Sequence, residues 1–572
     1  MTRALRFLPI PREVERLGGS LKLVTSGALS PEERLDPDSK LPREGYELRI
    51  DENGIRIQAP DENGLRYARA TLDQVRLQCT GELPALRIRD WPDFPVRGYM
   101  LDISRDRVPT QACLLELIDT LAVLRINQLQ LYTEHTFAYS GHERVWRNAS
   151  PLTPDEVREL DERCAARGIE LVPNQNSFGH MERWLTHAPY RWLAECPEAK
   201  RPSCLAPGDE SVAFMRSLYS ELLPCFRSRM LNIGCDETFE LGRGQSRDDC
   251  QERGRGRVYL NYLLRLVRGL QADGHTVQFW GDIVRAHPEL VEALPDHDLI
   301  ALVWGYEAPQ DPETLPALVR EGMSSFGVDP ESLRGFSWRV RPFAEAGVPF
   351  YVCPGTSAWN SLIGRLPNAR ANLLDAVRAG LAQGARGVLI TDWGDNGHLQ
   401  PPSVSLPPLA YGAALSWCEA SNAELELEPE LGLFLLDDPA LAHGLVRLGS
   451  VYEEVGLRAL NGSPLALALL SPLDGRLPAW GETSADELGR VVRTLEEQRE
   501  QLASGELRQA AALARHGAWR LAHIALGQGP TLEELRRDLS SLIEEQARVW
   551  AASSRPGGLE DSLVRLRRVL PS

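Results

Sequence analysis

The sequence predicts an α/β protein built around a (β/α)8 TIM barrel, with a small α/β domain before it and an α-helical domain after it. Three observations support this prediction. A hairpin pattern and a helical pattern open the chain, eight alternations of a β-rich run and an amphipathic helix follow, and only helical spacing remains after them. Eight such units are the number that closes this type of barrel, and 572 residues leave room for companion domains.

The predicted N-terminal domain covers residues 1–93. Residues 45–59, GYELRIDENGIRIQA, alternate in polarity around Asn53 and Gly54, a strong signal for a turn between two antiparallel strands. The next residues, DENGLRYARATLDQVRL, carry apolar side chains at helical spacing. Two prolines flank aromatic residues in WPDFP at residues 91–95, which breaks any regular element and marks the end of this domain.

The predicted barrel covers residues 94–418. Each of its β-rich runs is followed by a polar loop and a helix. In order, the runs are VRGYMLDIS, INQLQLYTE, IELVPNQN, MLNIGCDE, TVQFWGDI, LIALVWGYE, PFYVCPGTSAW and ARGVLITDWGD. Near-continuous apolar runs of this length are typical of strands in a parallel sheet, because both faces of such a sheet are buried.

The remaining residues, 419–572, are predicted to form an α-helical domain. Segments such as ELGRVVRTLEEQREQLA and LEELRRDLSSLIEEQARVWAA have apolar residues at helical spacing and little β signal. We interpret these apolar stripes as helix core and not as a cofactor site.

Composition and charge exclude several classes of function. A net charge of −17, with no basic stripe interleaved with aromatic residues, argues against nucleic acid as a partner. No run approaches the roughly 20 apolar residues of a membrane helix, and Arg6, Pro9 and Pro11 interrupt the N-terminal apolar segment before it could be a signal peptide. Ten cysteines are scattered without CxxC spacing. We therefore expect a cytoplasmic protein without membrane, metal or cofactor, and the sequence leaves a homodimer open.

Chemically active side chains gather where the predicted strands end, which is the end of a TIM barrel that carries the active site. Asp236 and Glu237 close the fourth run, and Arg97 opens the first. Further polar residues at or just after strand ends are Tyr132, Glu134, His135, His180, Asp282, Tyr306 and Asp395. Tryptophans accompany them at Trp280, Trp304, Trp359 and Trp393. Aromatic faces beside carboxylates and an arginine suit a sugar, which shows both an apolar C–H face and a rim of hydroxyls.

The neighbouring acids Asp236 and Glu237 pose a geometric problem. Adjacent residues on a strand point to opposite faces, so both reach one pocket only if the chain has left the strand before them. They also sit too close together to flank a sugar ring as an acid and a nucleophile about 5–5.5 Å apart. The nucleophile is therefore expected to come from elsewhere.

Four segments together resemble glycoside hydrolase family 20, the β-N-acetylhexosaminidases. They are FPVRGYMLDISRDRVP, SFGHMERW, IGCDE and TDWGDNG, and the resemblance covers the barrel and, more weakly, the N-terminal domain. It implies a retaining exo-β-N-acetylhexosaminidase that releases terminal non-reducing β-linked GlcNAc or GalNAc from small amino-sugar glycosides or oligosaccharides. It also implies substrate-assisted catalysis, in which the 2-acetamido group is the nucleophile and an oxazolinium ion is the intermediate.

Residue roles follow from the same resemblance. Glu237 would be the general acid, and Asp236 would hold the acetamide N–H and stabilise the oxazolinium charge. Arg97, helped by Asp395, would bind the ring hydroxyls O3 and O4. Further substrate contacts are expected from Glu134, His180, Trp280, Trp304, Trp359 and Trp393.

Three features depart from the family pattern. Cys235 stands where the family usually has glycine, and Asp395 stands where the family usually has glutamate after Trp-x. The YTEH segment replaces the family's strand-two histidine and aspartate. Tyr306 and Tyr351 both remain candidates for the tyrosine that bonds the acetamide oxygen, and the preference between GlcNAc and GalNAc stays open.

Two other classes of function compete with this interpretation. A barrel enzyme dependent on Mg²⁺ could use Glu134, Asp236 and Asp282 as oxygen ligands. A non-catalytic sugar-binding protein would keep the tryptophans and the arginine, but it would have no use for an acid next to Asp236.

Overall fold

The computed structural model describes residues 5–22, 30–295, 297–325 and 328–570. The first part is a mixed five-stranded sheet in the order β1-β5-β3-β4-β2 with one helix packed on it. Its elements are β1 (Glu13–Lys22), β2 (Glu32–Leu35), β3 (Tyr46–Asp51), β4 (Gly54–Ala59), α1 (Glu62–Leu77) and β5 (Glu82–Asp90). The predicted hairpin is confirmed, because β3 and β4 pair antiparallel from Asp51 opposite Gly54. Asp61 caps α1 by accepting a hydrogen bond from the Gly64 amide.

Eight parallel strands then form a closed barrel, which confirms the predicted fold class. They are β6 (Val96–Asp102), β7 (Gln128–Thr133), β8 (Glu170–Gln175), β9 (Met230–Asn232), β10 (Thr276–Trp280), β11 (Leu299–Trp304), β12 (Phe350–Cys353) and β13 (Gly387–Asp392). The barrel closes where β13 pairs with β6, from Gly387 opposite Val96 to Asp392 opposite Leu101. All eight strand ends therefore meet at one rim.

Helices surround this barrel. They are α2 (Gln111–Val123), α3 (Glu143–Trp146), α4 (Pro154–Arg167), α5 (Glu182–Leu185), α6 (Asp209–Leu222), α7 (Arg247–Arg253), α8 (Arg255–Ala272), α9 (Asp282–Ala286), α10 (Ala317–Ser325), α11 (Phe336–Glu345), α12 (Leu366–Gln383) and α13 (Leu406–Trp417). The boundaries follow local chemistry: Thr153 and Glu156 form a capping box at the start of α4, and the left-handed Gly168 ends it.

Part of the barrel interior is polar, which the apolar strand pattern did not predict. Gln130 lies at its centre: its side-chain amide donates to Gln278 at 2.8 Å, and its oxygen accepts from Asn174 and Asn232, both at 3.0 Å. All four side chains are fully or almost fully buried. Their mutual hydrogen bonds offset the cost of removing these amides from water.

The last part of the chain is helical, as predicted, apart from a two-stranded ribbon. Its helices are α14 (Glu419–Asn422), α15 (Leu427–Leu431), α16 (Pro439–Leu448), α17 (Pro464–Leu470), α18 (Ala485–Gln501), α19 (Gly505–Leu526), α20 (Leu532–Ser553) and α21 (Leu559–Arg567). The ribbon is β14 (Leu457–Arg458) with β15 (Trp480–Gly481). Helix α19 is central and packs against α17, α18 and α20 around a leucine- and alanine-rich core. Within the described residues, no helix is long and apolar enough to cross a membrane.

A buried arginine joins the N-terminal domain to the lower end of the barrel, which is the end where the strands begin. Arg97, the second residue of β6, is fully buried and forms a 2.7 Å ion pair with Glu44. Its guanidinium also donates to the Phe94 and Arg125 carbonyls and to the Tyr67 hydroxyl. Because each of the three guanidinium nitrogens has a partner, and two of the partners belong to the N-terminal domain, this charge is compensated only while the two parts stay docked.

We expect Arg97→Met to lower the thermal unfolding midpoint substantially. The variant leaves the Glu44 carboxylate buried without its cation, which typically costs about 3–5 kcal/mol. The matched control is Arg158→Met, because Arg158 pairs with Asp155 on the surface and such exposed pairs contribute about 0–1 kcal/mol. Equal midpoints for the two variants would contradict this assignment.

Candidate active site

The two neighbouring acids reach one pocket because the chain turns sharply after β9. Gly234, Cys235 and Glu237 all have left-handed backbone conformations, with φ of 68°, 68° and 48°. The strand alternation therefore no longer applies to Asp236 and Glu237. His180 Nε2 lies 3.4 Å from a carboxylate oxygen of each acid. The turn thus aims two consecutive carboxylates at one imidazole.

The loop after β8 carries His180 and approaches the acids closely. Gly179 permits this approach, since a Cβ at that position would lie only 2.4 Å from the Asp236 carbonyl oxygen. Asn176, also in this loop, donates to Asp236 at 3.0 Å and to the Tyr132 hydroxyl at 3.1 Å. Sequence analysis did not select Asn176, although the polar NQN run at the end of β8 was a signal for it.

The buried Asp236 and the half-buried His180 form a charged pair. Burial favours the neutral form of each, but the His180 imidazolium and the Asn176 amide hold the pKa of Asp236 below its ordinary value. Burial likewise opposes charge on His180, yet the Asp236 and Glu237 carboxylates raise the pKa of His180 well above its ordinary value. Asp236 is therefore ionised at neutral pH.

Glu237 is the more open of the two acids. About 35% of its side chain is exposed, against 9% for Asp236. Its backbone amide donates to Asp282 at 3.2 Å, at the start of α9. Burial, together with the nearby Asp236 and Glu237 charges, raises the pKa of Asp282 to about 7. Sequence analysis listed Asp282 among the polar residues at strand ends and as a possible metal ligand, and the structure places it beside the acid pair.

The arginine at the barrel rim is Arg105, which corrects the prediction for Arg97. Arg97 lies near the start of β6. Its guanidinium donates to Glu44 and Tyr67 of the N-terminal domain and to the Phe94 and Arg125 carbonyls. Arg105 lies three residues beyond the end of the same strand. A parallel barrel has two chemically different ends, and only residues at or past a strand's carboxyl end reach the active-site rim. The prediction selected the wrong arginine of the FPVRGYMLDISRDRVP segment.

Arg105 organises the polar side of the pocket. Its guanidinium is 3.1 Å from Asp102, 3.4 Å from Glu134 and 3.9 Å from Asp395. It stands over the rings of Tyr132 and Trp393, at 4.7 and 4.8 Å from their centroids. The structure therefore brings the predicted residues Glu134 and Asp395 together around an arginine.

Aromatic side chains form the opposite side of the pocket. Tyr306 lies at their centre: it stacks on Trp304 at 5.2 Å, meets Trp359 edge-on at 5.0 Å, and accepts a 2.8 Å hydrogen bond from the Trp393 indole. Trp280 is fully buried, 5.9 Å from Trp393. The four predicted tryptophans thus belong to one cluster around Tyr306.

The structure also distinguishes the two candidate tyrosines. Tyr351 lies in β12 opposite Gly387, the first residue of β13. Its neighbours include Gln128, the first residue of β7, and Gln278 of β10, so it lies towards the end of the barrel where the strands begin. Tyr306 follows β11 and lies among the rim tryptophans. Only Tyr306 is therefore placed beside the acid pair's pocket.

Among the residues that the structure describes, no cluster of three or more His, Cys, Asp or Glu side chains is arranged to hold a metal ion. The three carboxylates considered as Mg²⁺ ligands each accept a hydrogen bond from the protein. The donors are Tyr132 for Glu134, Asn176 for Asp236 and the Glu237 amide for Asp282.

Comparison with known proteins shows the family of this chain. A family model described as glycosyl hydrolase family 20, catalytic domain, matches residues 94–326, and the model of domain 2 of the same family matches residues 32–91. Together they cover just over half of the chain. The protein is a glycoside hydrolase, and it belongs to glycoside hydrolase family 20.

Individual relatives agree with this family assignment. Hexosaminidase D from Bos taurus is 26% identical over 348 residues, which are 58% of this chain and 95% of that protein. Hexosaminidase D from Homo sapiens is 27% identical over 227 residues, 38% of this chain and 46% of that protein. The solved chitobiase of Flavobacterium johnsoniae has the same fold, with a TM-score of 0.60 at 16% identity, over 98% of this chain and 99% of that one.

The protonation of Asp282 predicts a specific pH dependence of stability. Its pKa is about 7 in the folded protein and about 3.9 in an unfolded chain, so the folded protein binds more protons between these values. The stabilisation of the folded protein by proton binding to Asp282 is therefore lost as the pH rises towards and through 7. Thermal unfolding of Asp282→Asn and the parent protein should show a midpoint difference, variant minus parent, that increases from about pH 5 to about pH 8.

Asp474→Asn, on the surface, controls for the loss of one carboxylate. A midpoint difference for Asp282→Asn that stays constant over this range would show that Asp282 is ionised throughout.

Proposed function

We propose that this protein is a retaining exo-β-N-acetylhexosaminidase that removes terminal non-reducing β-linked GlcNAc or GalNAc by substrate-assisted catalysis. The observation that carries the proposal is the turn that brings Asp236 and Glu237 together on His180, beside an aromatic pocket. Two adjacent acids suffice for glycoside cleavage when the substrate provides the nucleophile.

In the first step, the 2-acetamido oxygen attacks the anomeric carbon while the glycosidic bond breaks. Glu237, the more exposed acid, donates its proton to the leaving oxygen. The product of this step is an oxazolinium ion, and its positive charge develops beside the acetamide nitrogen. Asp236 accepts the acetamide N–H and stabilises this charge, and its ionised state supports that role.

In the second step, the Glu237 carboxylate removes a proton from water. The resulting nucleophile attacks the anomeric carbon, the bond from the acetamido oxygen breaks, and the acetamide is restored. Two displacements at one carbon return the sugar with its original configuration.

The aromatic cluster suits the acetamide group. Trp280, Trp304 and Trp393 supply apolar surface for its methyl group and for the pyranose face. The Tyr306 hydroxyl accepts from Trp393, and in the proposed complex it would donate its own proton to the acetamide oxygen. Such a hydrogen bond would hold that oxygen in the orientation required for attack.

The ring hydroxyls would meet the opposite side of the pocket. Arg105 offers several donors in a fixed planar fork, and Asp395 and Glu134 offer acceptors next to it. Asp395 is partly exposed, with 32% of its side chain accessible, and so can reach a substrate hydroxyl. Arg105 takes the role that sequence analysis assigned to Arg97.

The proposed substrates are small amino-sugar glycosides or oligosaccharides, and the proposed location is the cytoplasm. In the relatives, a solved β-hexosaminidase of Streptomyces plicatus holds GlcNAc as its product. The cytoplasmic proposal is supported by the ten cysteines, all of which are free thiols, as is usual in a reducing compartment.

The first test compares three nitrophenyl glycosides: the β-N-acetylglucosaminide, the β-N-acetylgalactosaminide and the plain β-glucoside. We expect turnover of one or both acetamido sugars and none of the glucoside, because the glucoside has no internal nucleophile. Nitrophenol release is followed by absorbance. Equal turnover of the glucoside would mean that the protein supplies the nucleophile, and the mechanism would fail.

A second test concerns the acid pair. Glu237→Gln should reduce kcat by about 10²–10⁴-fold on an unactivated oligosaccharide, since the leaving oxygen loses its acid. Asp236→Asn should reduce kcat by about 10²–10³-fold, because the charge of the oxazolinium is no longer balanced. Binding of GlcNAc, measured by titration calorimetry, should persist in Glu237→Gln.

The exposed Glu252→Gln is the control and should keep full activity. Unchanged turnover in Glu237→Gln would remove Glu237 from the mechanism, and sensitivity of the parent protein to a chelator would favour the metal-dependent alternative.

A further inference from the structure

The turn after β9 is held by hydrogen bonds from neighbouring units of the barrel. The Cys235 amide donates to the Asn176 side-chain oxygen at 3.3 Å, and the Cys235 carbonyl accepts from the Tyr259 hydroxyl at 2.9 Å. The Gly234 carbonyl accepts from the Trp280 amide, also at 2.9 Å. The part of the turn that precedes the acid pair is therefore bonded to the loop after β8, to α8 and to β10.

The peptide of the proposed general acid is held separately, by Asp282. The Glu237 amide donates to Asp282 Oδ2 at 3.2 Å, and the Glu237 carbonyl accepts from the Phe239 amide at 2.7 Å. Glu237 has φ of 48°, in the left-handed region that residues other than glycine rarely adopt. Such a conformation persists only when surrounding contacts fix it. Asp282 provides one of these contacts through its side chain.

The end of β10 places Asp282 beside this peptide. Strands β9 and β10 are parallel neighbours, with Met230 opposite Thr276, so the chain leaves β10 next to the turn after β9. Trp280 ends β10, and Asp282 begins α9 two residues later. Asp282 and Glu237 are 45 positions apart in the sequence, and the barrel brings them into contact.

The protonation state of Asp282 suits an acceptor that lies next to two acids. Burial and the charges of Asp236 and Glu237 raise the pKa of Asp282 to about 7, although the Glu237 amide and Arg285 act in the opposite direction. Its other oxygen, Oδ1, is buried and has no hydrogen-bond partner among the described residues, so Oδ1 is free to carry the proton. Below about pH 7, Asp282 can therefore bond the amide without a third negative charge beside the acid pair.

We infer that Asp282 is a positioning residue for the acid step: its hydrogen bond to the Glu237 amide keeps the Glu237 carboxyl aimed at the leaving oxygen. The inference rests on the proposed function, which gives Asp282 no role. Without this bond, Glu237 could leave its left-handed conformation, and its carboxyl would move. Protonation of the leaving group would then suffer, while the attack by the acetamido oxygen would not, because Asp236 balances the charge that this attack develops.

The test compares two β-N-acetylglucosaminides that differ in their need for an acid. Dinitrophenolate leaves as a stable anion without protonation, whereas the methyl glycoside must receive a proton on its leaving oxygen. The measured quantity is the ratio of kcat/KM for the dinitrophenyl glycoside to kcat/KM for the methyl glycoside, because kcat/KM includes the step in which the leaving group departs. Dinitrophenol is followed by absorbance, and GlcNAc from the methyl glycoside is followed by chromatography.

Asp282→Ala should raise this ratio by about 10–10²-fold, since a small misplacement of a catalytic group can cost about 10² in rate. Its kcat/KM for the dinitrophenyl glycoside should change little. Asp282→Asn should keep a ratio close to the parent's, because its side-chain oxygen can still accept the amide hydrogen bond. Asp282→Leu, which is similar in shape and has no acceptor, takes the place of Asp282→Ala if that variant does not fold.

Three further variants calibrate the ratio. Glu237→Gln removes the acid itself and sets the largest change expected. Asp236→Asn should lower kcat/KM for both glycosides, because the oxazolinium charge develops with either leaving group. Asp438→Ala is the structural control, since Asp438 accepts from the Ala440 and Leu441 amides at the start of α16, in the C-terminal domain. Its ratio should match the parent's.

The outcomes are distinct. An unchanged ratio in Asp282→Ala, even if both kcat/KM values fall, would overturn the inference and leave the proposed function standing. An equal rise in Asp282→Asn and Asp282→Ala would also overturn it, because the carboxamide keeps the acceptor. If the parent hydrolyses neither glycoside, the proposed function fails. Crystal structures of the parent and Asp282→Ala then decide the positioning role, and a Glu237 carboxyl in the same place in both would overturn it.

Discussion

Closure of the barrel between β13 and β6 is the constraint on which the rest of the structure depends. Six consecutive pairs from Gly387 opposite Val96 to Asp392 opposite Leu101 join the last strand to the first. The register brings the loop after β6 next to the loop after β13. Asp102, at the end of β6, then accepts from the Gly394 amide and contacts Arg105, so a single carboxylate joins both loops. Without this closure, the loops that carry Arg105 and Asp395 would not be adjacent.

The site divides its charges into two groups with different surroundings. Asp236 is ionised because His180 and Asn176 compensate it, and Arg105 is compensated by Asp102, Glu134 and the aromatic rings of Tyr132 and Trp393. Asp282 has no such cation within 4 Å among the described residues, and burial keeps it protonated up to about pH 7. Charges with a fixed partner remain charged on burial, while the carboxyl without one takes up a proton.

The companion domains meet opposite ends of the barrel. The N-terminal sheet docks at the lower end, where Arg97 pairs with Glu44 and Arg125 pairs with Asp90. The C-terminal domain docks at the upper rim, where Arg107 donates to Ser554 and Arg555 reaches Pro109 and Glu156. Buried arginines serve both interfaces because one guanidinium can satisfy several carbonyl and carboxylate acceptors at once. The first interface lies at the end of the barrel away from the candidate active site, and the second lies at the rim that carries that site.

The sequence by itself determined the barrel, the hairpin around Asn53 and Gly54, and the rim residues from Glu134 to Asp395. Strand runs, helix caps and turns are local patterns, and each is readable within a window of a few residues. The adjacent acids after β9 and the tryptophans after β10, β11 and β13 were visible for the same reason: they lie at the ends of recognisable strands.

Tertiary structure decided which of these residues share a site. Arg97 and Arg105 lie eight positions apart in one segment, and only the direction of β6 in the closed barrel separates the buried interface from the rim. Tyr306 and Tyr351 were equal candidates until the strand register placed Tyr351 in the lower barrel. Nothing local in the last residues indicated that α21 would line a cavity with Arg105 and His180, since contacts such as Arg183 with Asp561 join positions far apart in the chain. Such pairings depend on how whole domains dock, and a sequence window does not contain that information.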